Sequence, residues 1–254
     1  MILRSVTKHV KDQNWFAVLI DFFIVVVGVF IGIQVANWND ARTLDSQERE
    51  LLIELKREIE GDAKNAKILR NHFENVHAAA KRSLLFMDGE TGCGDECWPV
   101  LADFFHASHW FPVAVKRSVF DEMRRQGLPR SRDIVTAVEK YHSQNYINAL
   151  VLDELPRYRE VVRSNLPVAV HEAYWSSCWS LEASVETIRY QDCPAAVSNE
   201  VAAQVVGTIL QHPEIRTTLT FWLSEITPTA GELDIQNEAA LQAIGKINAE
   251  LREK

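Results

Sequence analysis

Two cysteines four positions apart, Cys93 and Cys97, precede two histidines three apart, His106 and His109. Thiolates and imidazoles are the ligands zinc favours, so a metal would be sought here first. The spacing argues against it. Eight residues separate the pairs, fewer than in a usual finger, and the histidines sit closer together than the typical three to five intervening residues allow. Oxidation is the competing chemistry of the same sulfurs. Cys93, Cys97, Cys178 and Cys193 form an even set beyond the first apolar segment, as expected of disulfides in an oxidising compartment. Of the three possible connectivities, the local pairs Cys93–Cys97 and Cys178–Cys193 are expected. The first closes a Gly-containing loop, and the second ties a helix to the turn after it. No metal and no cofactor is expected. His106 and His109 then read as polar members of an aromatic segment with Trp98, Phe104, Phe105, Trp110 and Phe111, a composition more common in cores than around ligands.

Other catalytic patterns fail on one residue or are missing. His171-Glu172-Ala173-Tyr174-Trp175 begins like a zinc-protease helix, but Trp175 stands where a second histidine must project one turn later. The sequence contains no Gly-x-Ser-x-Gly elbow, P-loop or dinucleotide fingerprint. No catalytic residue is therefore assigned, and the chain is read as a non-enzyme. Arg124, Arg125, Arg130 and Arg132 form a local basic patch. Such a patch serves an anionic ligand or lipid headgroup, or is simply a solvated face. In a ligand-sensing helical domain the pocket would be lined by Arg124, Arg125 or the aromatics near Trp175. Nucleic acid is excluded as a partner by charge: 27 basic against 35 acidic side chains give a net −8, the wrong sign for neutralising phosphates along a backbone.

The elements that carry these residues begin with a long apolar segment. Between Phe16 and Ala36 only Asp21 and Gln34 are strongly polar. From Trp15 to Trp38 the chain covers about 36 Å as a helix, enough to span a hydrocarbon core of about 30 Å with tilt. The two tryptophans then occupy the two interfaces. A cleavable signal peptide is the rival reading, but the apolar stretch is too long and no small-x-small triplet follows it. Arg4, Lys8 and Lys11 before the segment place the N-terminus in the cytoplasm. Asp21, about 9 Å along the helix from Trp15, is read as accommodated near the headgroups. Gly28 and Gly32 form a Gly-x-x-x-Gly step for close packing of two helices, with Gln34 and Asn37 as interhelical hydrogen bonders at the same end.

The run Gln34-Val35-Ala36-Asn37-Trp38-Asn39 that closes the apolar helix resembles the signature of a large, uncharacterised family of bacterial single-pass membrane proteins, whose N-terminal helix ends in Gln-x-x-Asn-Trp-Asn. The similarity extends loosely to 118–141, where Phe120, Met123 and Gly127 precede a helix ending near Tyr141. The resemblance implies topology and carries no activity.

Beyond Trp38 no proline occurs until Pro99, and 10 glycines with 8 prolines make up a low share of the chain, which favours long helices over a many-stranded sheet. Apolar or alanine positions recur at Leu52, Leu55, Ile59, Ala63, Ala66, Leu69, Phe73, Val76, Ala80, Leu84 and Met87. Their spacing of about 3.5 residues is the heptad period of a helix packed along another helix. Gly89, Gly92 and Gly94 end this stalk. Further helices are expected over 119–126, from Ser131 or Asp133 to about Leu155, over 166–189, and over 198–211, 213–226 and 231–252. The last repeats the 3.5 spacing at Leu233, Ala240, Ile244, Ile247 and Leu251 and is expected to run antiparallel to the stalk. The reading is an all-α chain: a cytoplasmic tail (1–14), a transmembrane helix (15–38), a stalk helix (39–87) and a helical bundle packed on the stalk (88–254). The function expected is that of an inner-membrane, single-pass protein whose periplasmic helical domain serves as an interaction or scaffold module. Its partners are the lipid bilayer and a protein partner or second copy. The alternatives are a ligand-sensing receptor domain and, more remotely, a metal-dependent hydrolase.

Overall fold

A computed structural model describes residues 15–114, 116–152, 154–182 and 185–253. The basic residues Arg4, Lys8 and Lys11 lie outside the described residues. Two compact units divide the chain, one ending at Glu54 and one spanning Leu55–Glu253. A single helix, α1 (Trp15–Met87), supplies all of the first unit that is described and the opening of the second.

In the first unit α1 carries the apolar run, which lies exposed among the described residues. Phe22, Phe23, Ile24, Val29, Phe30, Ile31, Ile33 and Val35 are all exposed. The helix is long and apolar enough to cross a membrane.

Among the described residues the second unit is helical apart from one hairpin. After α1 come α2 (Trp98–His106), α3 (Ser118–Arg125), α4 (Arg132–Val151), α5 (Arg157–Ser164) and α6 (Val168–Ser177). The hairpin β1 (Trp179–Glu182) and β2 (Val185–Ile188) follows, then α7 (Asn199–Gln211), α8 (Ile215–Ile226) and α9 (Thr229–Glu253). The all-α class holds. The expected helix over 166–189 is overturned in its second half: α6 stops at Ser177 and the next residues pair as antiparallel strands, Trp179 opposite Ile188 and Ser180 opposite Thr187. Two physical causes act here. Thr187 and Ile188 are β-branched and favour extended backbone, and a disulfide joins Cys178 to Cys193 with Cα atoms 5.0 Å apart. A helix continued from Cys178 to Arg189 would place its two ends about 16 Å apart and leave only the four residues to Cys193 to return, fully extended, whereas a hairpin returns the chain directly.

The long helices meet through heptad stripes. On α1 the buried or half-buried positions include Leu55, Ile59, Asp62, Ala66, Leu69, Phe73, Val76, Ala80 and Ser83. Asp62 and Ser83 are buried beside the expected Ala63 and Leu84, which are half-buried, Leu84 against the core. Ile134, Val138, Tyr141, Asn145 and Asn148 on α4, continued by Leu152, keep the same period, as do Thr229, Leu233, Gln236, Ala240, Ala243 and Ile247 on α9. Lys246 reaches Asp133 at 2.8 Å, and Asn148 donates to the Gln236 side chain at 2.6 Å, so α4 and α9 run antiparallel. Arg70 on α1 pairs with Asp234 at 2.8 Å, and the Tyr141 hydroxyl donates to Asp62 at 3.2 Å. α1 and α4 are accordingly parallel, with α9 antiparallel to both, the direction expected of the C-terminal helix. A second core surrounds Phe104, Phe105, Tyr158, Tyr174, Leu219 and Trp222, where α2 is enclosed by α5 to α8.

Candidate functional site

The densest polar chemistry lies inside that second core. α2 begins at Trp98 with Pro99 in its first turn, where a missing N–H costs nothing. Its last turn and the three residues that follow deliver Phe104, Phe105, His106, Ala107, Ser108 and His109, all buried. α6 brings Tyr174 against them: its ring stacks on Phe105 with centroids 3.7 Å apart. The Tyr174 hydroxyl lies 2.5 Å from His106 Nδ1 and 2.8 Å from His109 Nε2. One hydroxyl donates to one imidazole only, so the other imidazole donates back to it. The three groups form a chain of neutral donors and acceptors with two tautomeric settings.

Electrostatics keep both imidazoles uncharged. Burial pushes His106 down to about 3, assisted by the Arg82 charge. His109 is held well below its ordinary value by burial first and then by Arg163 and other cationic neighbours. Burial also raises the Tyr174 phenol, so its proton stays on oxygen. Arg163 lies over Phe105 at 4.4 Å and donates through Nε to Ser108 Oγ at 2.8 Å. Its pKa is lowered to about 9 by burial and by repulsion from Arg159. It still carries its proton at neutral pH, as a cation over aromatic rings.

An open cleft of about 500 Å³ borders this core, lined among others by Arg82, Asp103, His106, Tyr190 and Asp192. Arg82 grips Asp103 with two parallel bonds, at 2.8 and 2.5 Å. Tyr190 stands within about 6 Å, ring to ring, of His72, His106 and His109, and its hydroxyl is 3.3 Å from His72 Nδ1. The loop bearing Tyr190 is tied at its base by the Cys178–Cys193 disulfide and by the Arg189 N–H donating to Cys178 O at 2.8 Å.

The structure treats the sequence-derived candidates unevenly. Both expected disulfides are present, with Cys93 and Cys97 Cα atoms 4.5 Å apart. Cys93 and Cys97 are therefore not available as thiolates to join His106 and His109, which face Tyr174 instead. Among the described residues no group of three or more His, Cys, Asp or Glu side chains is arranged to hold a metal ion. His171 donates through Nε2 to Arg163 O at 2.9 Å. The basic patch divides: Arg124, Arg130 and Arg132 line one cleft, whereas Arg125 pairs with Glu122. Trp175 does not line that cleft and packs edge-on against Phe105.

In the apolar helix Gly28 and Gly32 lie on one face, and a Cβ added at either meets nothing within 4 Å. Gln34 is turned about 200° from Gly32 and Asn37 about 140°. Both share the end of the helix with the glycines but not their face. Asp21 is partly buried, and its Oδ2 has no hydrogen-bond partner among the described residues.

The chain matches no protein-family model, no curated protein and no solved structure.

Tyr190, His72, Arg163 and the Asp62–Tyr141 pair escaped the sequence reading. Asp62 had a detectable signal, because it falls on the heptad step where an apolar residue belongs. Tyr190 and His72 had none, since they meet across 118 positions of chain.

Proposed function

We propose that the chain is a bacterial inner-membrane protein whose apolar helix remains in the lipid. Its N-terminus is cytoplasmic, and its disulfide-bonded helical domain works in the periplasm as a non-enzymatic interaction or scaffold module. The carrying observation is the uncovered run on α1: large apolar side chains from Trp15 to Val35 point outward all round the helix, which water does not tolerate and lipid does. Two disulfides support an oxidising compartment, and the resemblance of Gln34–Asn39 to the single-pass family supports the topology.

The test is a reporter fused to the C-terminus together with thiol labelling of intact cells. A periplasm-active reporter and four cysteines that label only after reduction are expected. A reporter active only in the cytosol, or a mature polypeptide that starts after Ala36, overturns the reading. Specific capture of a protein partner, or cross-linking of two copies, from detergent-solubilised membranes tests the interaction role.

A ligand-sensing role is the second reading. It is favoured by the cleft beside His106 and Tyr190, where a buried hydrogen-bonded chain borders an ion pair. Thermal-shift screening of the full chain separates the two, because a small-molecule sensor must be stabilised by its ligand.

A further inference from the structure

Each disulfide has one sulfur at a helix end, and the two ends are of opposite sign. Cys97 occupies the N-cap position of α2 and Cys178 the C-cap position of α6. Their partners Cys93 and Cys193 are both partly exposed, whereas Cys97 and Cys178 are 6% and 0% exposed. A nucleophile from solvent therefore reaches Cys93 or Cys193, and the sulfur it expels is the buried one. What separates the two bonds is how each buried sulfur bears the charge with which it leaves. Bonded to Cys93, the Cys97 side chain accepts no hydrogen bond from the first turn of α2; as a thiolate it becomes the acceptor that such a helix end attracts. At Cys178 the dipole repels an anion, and the neighbouring hydroxyl is committed: Ser177 Oγ, 3.6 Å from Cys178 Sγ, donates its proton to Ala173 O at 2.7 Å. The carboxylates of Asp95 and Glu96 are exposed and oppose a thiolate at Cys97 only through water, where salt screens them.

We propose that Cys93–Cys97 is a reversible thiol–disulfide exchange site for a dithiol, and that Cys178–Cys193 is a permanent crosslink. A thiolate of the dithiol attacks Cys93 Sγ; the Cys93–Cys97 bond breaks and its electron pair leaves with Cys97. The second sulfur of the reagent, ionised in turn, attacks the first in the mixed disulfide and expels Cys93. Two electrons pass to the protein and the dithiol becomes a disulfide; of its two protons, one ends on Cys93 and one goes to solvent. The fold tolerates the change. Three residues lie between Cys93 and Cys97 against fourteen between Cys178 and Cys193, so opening the smaller loop destabilises the domain less. The start of α2 stays held by Asn199 Oδ1, which accepts from the Cys97 N–H at 2.7 Å, and by the Trp98 indole, which donates to Cys193 O at 3.1 Å. The exchange is a property of the two bonds and holds on either side of a bilayer, independently of the topology proposed above.

The experiment uses the full oxidised chain in a neutral detergent. After timed exposure to dithiothreitol, free thiols are alkylated and assigned by peptide mass spectrometry. Cys93 and Cys97 are expected to become reactive about tenfold or more faster than Cys178 and Cys193, with the helical circular dichroism unchanged. A brief reaction with 2-mercaptoethanol, a neutral thiol with no second sulfur to complete the reduction, should leave its adduct on Cys93 and a free thiol at Cys97. Equal rates for the two bonds, faster opening of Cys178–Cys193, or an adduct first on Cys97 overturns the proposal. Both reactions use the unmodified chain, so no folding defect imitates the result. Two variants with one free thiol each then separate the charge of the helix end from simple exposure. Ultraviolet thiolate absorbance should persist to lower pH for Cys97 in Cys93→Ser than for Cys178 in Cys193→Ser, and the same or the reverse order of titration overturns the proposal as well.

Discussion

Tyr174 hydroxyl hydrogen bonding to two imidazoles makes the interior of this domain sensitive to single atoms. Tyr174→Phe keeps the ring that stacks on Phe105 but strands His106 Nδ1 and His109 Nε2. Each buried unsatisfied group costs about 1–3 kcal/mol, so urea unfolding should report a loss of about 2–6 kcal/mol with an unchanged m-value. The same imidazoles set a pH dependence whose sign follows from linkage. Their folded pKa values are depressed, His106 to about 3, so below the ordinary histidine value of about 6.5 the unfolded chain binds more protons than the folded one. Stability is therefore full above that value and lost as the pH falls from it toward 3. Each of the two histidines contributes a slope of about 1.4 kcal/mol per pH unit. Replacing His106 by Gln, a neutral group that does not titrate, should flatten this slope. A melting temperature that does not change between pH 7 and pH 5 would refute the buried-neutral assignment.

At the scale of elements, the helix stripes and the crosslinks carry distinct burdens. Asp62 sits in an otherwise regular stripe and accepts from Tyr141 and from the Lys116 N–H at 3.2 Å each; its carboxyl pKa is raised, chiefly by burial. Asp62→Leu alone strands a buried tyrosine hydroxyl and should lower stability by about 1–3 kcal/mol. Asp62→Leu with Tyr141→Phe removes both side-chain partners, leaving only the N–H of the exposed Lys116 to turn to water, and should recover most of that loss, since an apolar pair in such a stripe is nearly neutral. Chemical denaturation of the two variants checks the difference. Removing the disulfides is expected to separate them by loop length: about 3 kcal/mol for Cys178–Cys193 and about 2 for Cys93–Cys97, with sequence separations of 15 and 4. The helices were legible in the sequence because their period is written in neighbouring residues, and Gly89 to Gly94 marked the end of α1. The hairpin was not. Cys178 and Cys193 revealed their pairing, but the consequence of that pairing for the chain between them was outweighed by the aromatic spacing of Tyr174, Trp175 and Trp179. Asp62 and Ser83 went unread for a related reason: Ala63 and Leu84, half-buried in the structure, fit the apolar pattern one position later, and only packing shows that the polar neighbours are buried as well.

At the scale of the molecule, one helix runs through both units, and where a chain begins along it decides which fragments can fold. The site residues were legible only as types: four arginines and two histidines could be named, whereas their neighbours His72, Tyr190 and Tyr174 come from segments that long-range packing alone brings together. α1 shows why. Its residues from Leu55 to Ser83 supply a complete heptad stripe to the second unit, together with Phe73 in the aromatic core and Arg70 facing Asp234. From Phe22 to Trp38 every residue is exposed. A chain beginning near Asp40 should therefore be soluble without detergent and keep the helicity and cooperative melting of the domain. A chain beginning after Met87 loses one wall of both cores. α4, α9 and α2 would then expose apolar stripes that the remaining helices cannot cover, since burying such faces and not helix propensity holds them in place. That fragment should aggregate or melt without a cooperative transition, whereas the longer one should elute as a folded species on size exclusion with both disulfides formed. If the fragment lacking α1 folded as well as the one that retains it, the stripe from Leu55 to Ser83 would be decoration on a self-sufficient domain, and the dual role of α1 would be lost.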